Sequence, residues 1–168
     1  MRAIVIFSLI VVASSSQLSA VGKNVVVPQK LSHGLIMQES SGYDNAIGDK
    51  GKKDKAYGCL QIRQPCLDDV NRWLGTRYQA QDMLGNRKLS LLVCRTYLER
   101  YATAERLGRT PTMQDMARIW NGGPCGAFDN GAIDSKGTLL KDPRARARLA
   151  RVQRETAVYW SRVQRFLK

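Results

Sequence analysis

The sequence contains one histidine, His33, among its 168 residues, so a metal site built from several histidines is impossible. It has four cysteines but no Cys-x-x-Cys pair, which argues against a zinc ribbon. It also lacks a P-loop, a Gly-x-Ser-x-Gly turn, a His-Glu-x-x-His helix and a Gly-x-Gly-x-x-Gly loop. We therefore expect no metal and no cofactor, and any acid–base chemistry must come from carboxylates.

Proline and acidic residues are scarce as well. There are 5 prolines, and 14 acidic residues oppose 27 lysines and arginines, giving a formal charge of +13. Hydrophobic residues make up 43% of the chain, which argues against disorder despite the charge. The length suits one domain with a real core.

The first twenty residues have the three parts of a secretory signal peptide. Arg2 supplies a positive charge, an apolar run follows from Ala3 to Ala13 with only Ser8 interrupting it, and small residues lead to Ala20. The run is too short for a membrane span, which needs about 20 residues. We expect residues 1–20 to be removed, residues 21–168 to form the mature domain, and the protein to be secreted, outside the cell or into a periplasm, without stable membrane insertion.

Export would also account for the cysteines. Cys59, Cys66, Cys94 and Cys125 are even in number, and in an oxidising compartment an even number predicts two disulfides. Three pairings are possible, and the sequence does not choose among them. The alternative is that the cysteines are buried thiols.

The positive charge is concentrated near the C-terminus, where a single acidic residue, Glu155, interrupts the basic ones. The basic residues there are Arg144, Arg146, Arg148, Arg151, Arg154, Arg162, Arg165 and Lys168. Apolar residues recur among them at close to helical spacing, which predicts an amphipathic helix with its arginines in solvent. The excess charge implies a polyanionic partner. The candidate partners are nucleic acid, anionic lipid, and a bacterial wall bearing carboxylates and phosphates. Because no aromatic residues alternate with the basic ones and no nucleic-acid module is present, we do not expect nucleic acid. We expect a monomer.

Periodicity and turn residues predict a mostly helical chain. The expected elements are a helix from Pro28 to Gly42, a polar excursion over Asp44–Lys55, a short strand over Tyr57–Ile62, helices over Cys66–Leu74, Leu89–Leu107 and Thr112–Trp120, a glycine-rich loop over Gly122–Asp142, and a last helix opened by Pro143. The fold class is therefore α+β, mostly α: one domain with a small β-hairpin element.

Among the carboxylates, Glu39 stands out by its surroundings. It lies near the end of an apolar helix, after Leu35, Ile36 and Met37. Apolar surroundings raise the pKa of a carboxylic acid, as a general acid at neutral pH requires. The alternative is a solvated glutamate at a helix end.

Three motifs follow one another along the chain: Gln-Glu-Ser-Ser-Gly at Gln38–Gly42, Tyr-Gly-Cys-Leu-Gln-Ile at Tyr57–Ile62, and Ala-Arg-Ile-Trp-Asn-Gly-Gly-Pro at Ala117–Pro124. Together they resemble the lysozyme-like superfamily, and most of all the invertebrate-type (destabilase-like) lysozymes. Arg100–Thr103 (Arg-Tyr-Ala-Thr) and Tyr159-Trp160 occupy matching places. The resemblance spans roughly Leu31 to Val163 and implies a lysozyme-like domain with the β-hairpin beside the catalytic helix.

The second carboxylate departs from that family, which is also far richer in cysteine. The family's second catalytic aspartate aligns with Gly51, and Asp49 and Asp54 flank that point. Asn45–Gly48, the step before Asp49, followed by Tyr57-Gly58, is also similar to soluble lytic transglycosylases of bacteria, which use one catalytic glutamate and no aspartate nucleophile.

The resemblance implies a secreted peptidoglycan glycosidase that cleaves between N-acetylmuramic acid and N-acetylglucosamine. Glu39 and Asp49 would be catalytic. Four residues would bind substrate: Ser41, Tyr57, Gln61 and Asn121. The alternatives are that Asp49 only shapes a turn, that Gln61 only stabilises the fold, and that Asn121 only caps a helix. A lytic transglycosylase and a non-enzymatic cationic antimicrobial or wall-binding protein remain as alternative functions.

Overall fold

A computed structural model describes residues 25–129 and 140–168, so the predicted signal peptide over residues 1–20 and half of the glycine-rich loop lie outside it. The described chain is mostly helical, with one two-stranded antiparallel sheet. This agrees with the predicted fold class, α+β and mostly α. The elements are α1 (Gln29–Ser40), β1 (Ile47–Gly48), β2 (Ala56–Tyr57), α2 (Gln64–Leu74), a 3-10 turn (Ala80–Met83), α3 (Arg87–Tyr101), α4 (Ala104–Leu107), α5 (Met113–Gly122), α6 (Pro143–Val163) and a final 3-10 turn (Gln164–Phe166).

Several helix ends are where capping chemistry predicts them. Pro28 precedes α1, and Gly75 ends α2 in the left-handed conformation that glycine adopts easily. Thr112 caps α5 through a capping box with Asp115, and Asp142 caps α6 before Pro143. The predicted helix boundaries at Pro28, Leu74, Thr112 and Pro143 agree with the structure to within one residue, because each depends on a local backbone preference.

The prediction of one long helix over Leu89–Leu107 is wrong. The chain leaves helical geometry at Ala102, and extended Thr103 accepts a hydrogen bond from the Arg106 amide, which starts α4. Apolar spacing continues across the break, so periodicity alone could not reveal it. The competing signal is the threonine, which prefers to cap a helix rather than sit inside one.

The β element is smaller than predicted. β1 and β2 pair antiparallel, with Ile47 opposite Tyr57 and Gly48 opposite Ala56. Instead of continuing to Ile62 as a strand, the chain turns back, and the Tyr57 and Ile62 backbones exchange two hydrogen bonds of 2.9 Å. The turn positions Gln61 and Arg63 beside the sheet, next to the end of α1.

One core joins the helices. Leu31 and Leu35 of α1, Val93 and Leu98 of α3, and Ile119 of α5 are completely buried in it. Among the described helices, none is both long and apolar enough to cross a membrane.

A buried cation ties α5 to α6. The Arg118 guanidinium donates to the Thr156 hydroxyl and to the Gln153 carbonyl of α6, both at 3.3 Å, and pairs with Asp129. Because a buried charge is tolerated only when paired and hydrogen-bonded, these contacts fix the position of α6 against α5.

All four cysteines lie in described segments, and the structure contains neither of the two disulfides that the sequence predicts. Cys59 and Cys94 are buried in the core. Burial raises the pKa of both thiols, which keeps them protonated. In the structure these two cysteines pack as small apolar side chains, the alternative that the sequence leaves open.

Candidate active site

A cleft of about 340 Å³ lies where the end of α1 and the sheet face α3 and α5. It combines two carboxylates, one arginine, two amides and an apolar wall. The lining residues are Glu39, Asp49, Ala56, Leu60, Gln61, Ile62, Arg63, Cys66, Tyr97, Trp120 and Asn121. Four of the six residues that the sequence predicts for the site are therefore together in one cavity.

Glu39 is in the last turn of α1, just before Ser41 ends the helix in a left-handed conformation. Burial raises the pKa of Glu39 from 4.5 to about 6, although a hydrogen bond from Tyr159 and the positive charge of Arg63 both oppose the rise. A carboxylic acid with this pKa is protonated in a substantial fraction of molecules near pH 6. It can therefore give up a proton under mildly acidic conditions, as a general acid must.

Tyr159 of α6 holds the Glu39 carboxyl group. Its hydroxyl donates to Glu39 Oε1 over 2.7 Å, across 120 residues of sequence. Burial, together with the neighbouring Glu39, raises the pKa of Tyr159 above its ordinary value, so the phenol keeps its proton and remains the donor. The sequence places Tyr159 in a Tyr-Trp motif but gives it no role, because nothing local connects it with Glu39.

Replacing Tyr159 by phenylalanine should raise the pKa of Glu39. The lost hydrogen bond stabilises the carboxylate, so its removal favours the protonated acid. If Glu39 is the proton donor, the alkaline limb of kcat/KM, expected near pH 6 in the wild-type protein, should move to higher pH in Tyr159→Phe. The measurement is the pH dependence of kcat/KM on soluble wall fragments. An unmoved limb in a folded variant would show that Tyr159 does not control this proton.

Asp49 lies on the turn between β1 and β2. Its backbone has φ of +50°, the left-handed region that aspartate tolerates better than most residues, and its carbonyl accepts a 2.8 Å hydrogen bond from the Lys52 amide. Its side chain is 26% exposed and forms ion pairs with Lys52, at 2.8 Å, and with Arg63. Asp49 is therefore both a turn residue and a cleft carboxylate, two roles that the sequence treats as alternatives.

Arg63 connects the two carboxylates electrostatically. It pairs with Asp49, lowers the pKa of Glu39, and donates to the backbone carbonyl of Asp54. The side chain of Asp54, the other aspartate that flanks Gly51, does not line the cleft in the described structure. Arg63 is missing from the sequence-based site because the motif that ends at Ile62 does not include it.

The two amides of the cleft differ in how they are held. Gln61 donates from Nε2 to the Gly58 carbonyl at 2.8 Å and to the Ala46 carbonyl at 3.3 Å, so its amide links the turn to the chain before β1. A side chain at Gly48 would meet Gln61 Oε1, which explains the glycine there. Asn121 is exposed in the last turn of α5, which continues to Gly122, so Asn121 is not the C-cap.

Ser41 and Tyr57 are not among the described residues that line the cleft. Ser41 is exposed and ends α1. Tyr57 pairs with Ile47 in the sheet and packs against the core. Their positions indicate structural roles next to the site.

The far wall of the cleft is aromatic and apolar. Trp120 meets Tyr97 edge-on, with ring centroids 6.0 Å apart. Burial raises the pKa of Cys66 to about 12, so this thiol stays protonated and is a poor nucleophile. Trp120 lies inside the Arg-Ile-Trp-Asn motif, and that motif could have identified it as a cleft residue.

No model of a known protein family matches the chain, and no curated protein matches it either. Within the described residues, no group of three or more His, Cys, Asp or Glu side chains could hold a metal ion. The functional argument therefore rests on the cleft itself.

Proposed function

We propose that the protein is a secreted glycosidase of the lysozyme type, which cleaves the β-1,4 bond between N-acetylmuramic acid and N-acetylglucosamine in peptidoglycan. The observation that carries the proposal is the pair of carboxylates in one cleft, in different environments. Glu39 is half-buried and desolvation raises its pKa to about 6, whereas Asp49 is ion-paired with two cations. Enzymes that hydrolyse glycosidic bonds need this division between a proton donor and an ionised partner.

In the proposed mechanism, protonated Glu39 gives its proton to the leaving glycosidic oxygen. Positive charge then develops on the sugar ring, and the Asp49 carboxylate stabilises it or bonds to the anomeric carbon. Glu39, now ionised, accepts a proton from the incoming water, with Tyr159 still donating to its oxygen. Trp120 and Tyr97 give the sugar rings an apolar wall.

A lytic transglycosylase is the second candidate, and one observation favours it. Asp49 is already engaged by Lys52 and Arg63, which leaves Glu39 as the cleft carboxylate without an ion-pair partner among the described residues. In that mechanism Glu39 first protonates the leaving oxygen. It then accepts the proton of the muramyl 6-hydroxyl, which attacks the anomeric carbon.

Peptidoglycan with a covalently attached dye separates an enzyme from a protein that only binds the wall. The wild-type protein should release soluble dye-labelled fragments in proportion to time. A non-enzymatic cationic protein would instead sediment with the walls and leave the dye in the pellet, a result that would overturn the proposal.

Wall clearing should also depend on salt. Loss of Arg2 with the signal peptide takes the charge from +13 to +12, and the outer face of α6 exposes Arg144, Arg148, Arg151 and Arg154. Salt screens attraction between exposed charges beyond about 10 Å at 0.1 M, so clearing of whole walls should fall as salt rises. Cleavage of a short, neutral chitooligosaccharide should change much less. Equal salt dependence on both substrates would contradict electrostatic attraction to the wall.

A further inference from the structure

A row of aromatic rings runs from the cleft toward the surface between α2 and α3. Trp120 lines the cleft and contacts Tyr97, whose ring centroid lies 4.9 Å from that of Tyr101, one helical turn further along α3. Packed rings therefore connect Trp120 in the cleft to Tyr101 through Tyr97.

The row continues to an exposed tryptophan at the end of α2. The guanidinium carbon of Arg100 lies 4.4 Å from the centre of the Trp73 ring and 5.4 Å from that of Tyr101. Trp73 is nevertheless 52% exposed. About half of the residue's surface is therefore open to solvent, although Arg100 packs against the ring.

Asp69 holds Tyr101 and the two neighbouring arginines in place. Its carboxylate accepts a hydrogen bond from the Tyr101 hydroxyl, pairs with Arg72 at 3.0 Å, and lies 4.0 Å from Arg100. Arg106 also lies over the Tyr101 ring, 5.4 Å from its centre, and donates to the carbonyl of Pro124, just beyond α5. The rings and the arginines are consequently held in place before any ligand binds.

The chemistry of this surface fits an acidic carbohydrate. The face of an aromatic ring is electron-rich, so it attracts the C–H bonds on the flat side of a pyranose. Arg72, 73% exposed, and Arg100, 40% exposed, can pair with carboxylates beside the sugar. A glycan strand with lactyl and peptide carboxylates offers both features at regular intervals along one chain.

We propose that Trp73, with Arg72 and Arg100, forms a second binding site for the glycan strand outside the cleft, joined to the cleft wall by the packed rings of Tyr97 and Tyr101. The strand as ligand rests on the proposed function, but binding here requires no cleavage. The site would hold a long strand while one of its bonds lies beside Glu39. Long strands should therefore bind more tightly than short oligomers.

Binding of long, uncrosslinked strands with peptide stems tests the proposal, measured by calorimetry on the full chain carrying Glu39→Gln. Adding Trp73→Ala should weaken this binding by about 3- to 10-fold, the range of one aromatic contact. Leu74→Ala is the matched control, since it removes a neighbouring apolar side chain that is 39% exposed. It should leave the affinity within about twofold. A disaccharide that fills only the cleft should bind all three proteins equally.

A second variant separates charge from ring stacking. Arg100→Gln should weaken binding of the carboxylate-bearing strands more than binding of neutral chitohexaose. The proposal is overturned if Trp73→Ala binds long strands as Leu74→Ala does, even if the wild-type protein cleaves walls. If the wild-type protein releases no dye but Trp73→Ala still weakens binding of long strands, this second site is supported and the proposed cleavage is rejected.

Discussion

Replacing Glu39 by glutamine should lower the rate of wall cleavage by about 10² to 10⁴, the usual contribution of a positioned proton donor. Glutamine keeps the shape of the side chain, and its carbonyl oxygen can still accept the hydrogen bond from Tyr159. It has no acidic proton to give to the leaving oxygen. The measurement is the initial rate of dye release near pH 6, with Glu105→Gln, an exposed glutamate outside the cleft, as the matched control.

The same variant should be at least as stable as the wild-type protein above pH 6. The pKa of Glu39 is raised on folding, so its ionisation opposes folding. This penalty is absent below pH 4.5, grows as the pH rises, and is complete above about pH 6. Glutamine carries no such penalty. Urea unfolding at pH 8 should therefore show no loss of stability, so that a loss of activity reports chemistry. A folded Glu39→Gln that clears walls at the wild-type rate would refute the assignment.

Replacing Asp49 by asparagine should lower hydrolysis by at least about 10²-fold if Asp49 stabilises the sugar cation or forms the covalent intermediate. Asparagine is the appropriate replacement because it tolerates the left-handed backbone at this position, φ +50°. The measurement is the appearance of new reducing ends from soluble wall fragments. Asp54→Asn is the control, since it changes the other aspartate that flanks Gly51.

Loss of the Asp49 charge has a further electrostatic consequence. Arg63 would no longer be neutralised by its partner, so its positive charge should lower the pKa of Glu39 more strongly. The residual activity of Asp49→Asn should therefore fall off at lower pH than that of the wild-type protein. If Asp49→Asn instead keeps nearly the wild-type rate, Asp49 only shapes the turn, and Glu39 acts alone, as in a transglycosylase.

Local signals in the sequence predict most of the fold. Pro28, Gly75 and the Thr112 capping box each act through the backbone within a few residues, so they mark helix ends correctly. The break at Thr103 escapes prediction because the apolar spacing of α3 runs on into α4. The disulfide prediction depends on the redox compartment rather than on packing, and packing buries two of the four cysteines instead.

The candidate site is predictable only where its chemistry is local. Glu39, Gln61 and Asn121 are in motifs of the sequence, Asp49 flanks the position where the resemblance expects an aspartate, and the fold gathers all four in one cleft. Tyr159 could not be assigned because it reaches Glu39 only after α6 has packed against the rest of the domain. Arg63 could not be assigned because its effect comes from facing two carboxylates at once, which depends on the turn after β2.

The central claim is that the protein hydrolyses the glycan strand. The most direct test is mass spectrometry of peptidoglycan that the wild-type protein has digested in ¹⁸O-labelled water. We predict fragments that end in a reducing N-acetylmuramic acid with one ¹⁸O from solvent. Ends with 1,6-anhydromuramic acid and no label would contradict hydrolysis and identify a transglycosylase. Glycan strands that remain intact after prolonged incubation would contradict glycosidic cleavage altogether.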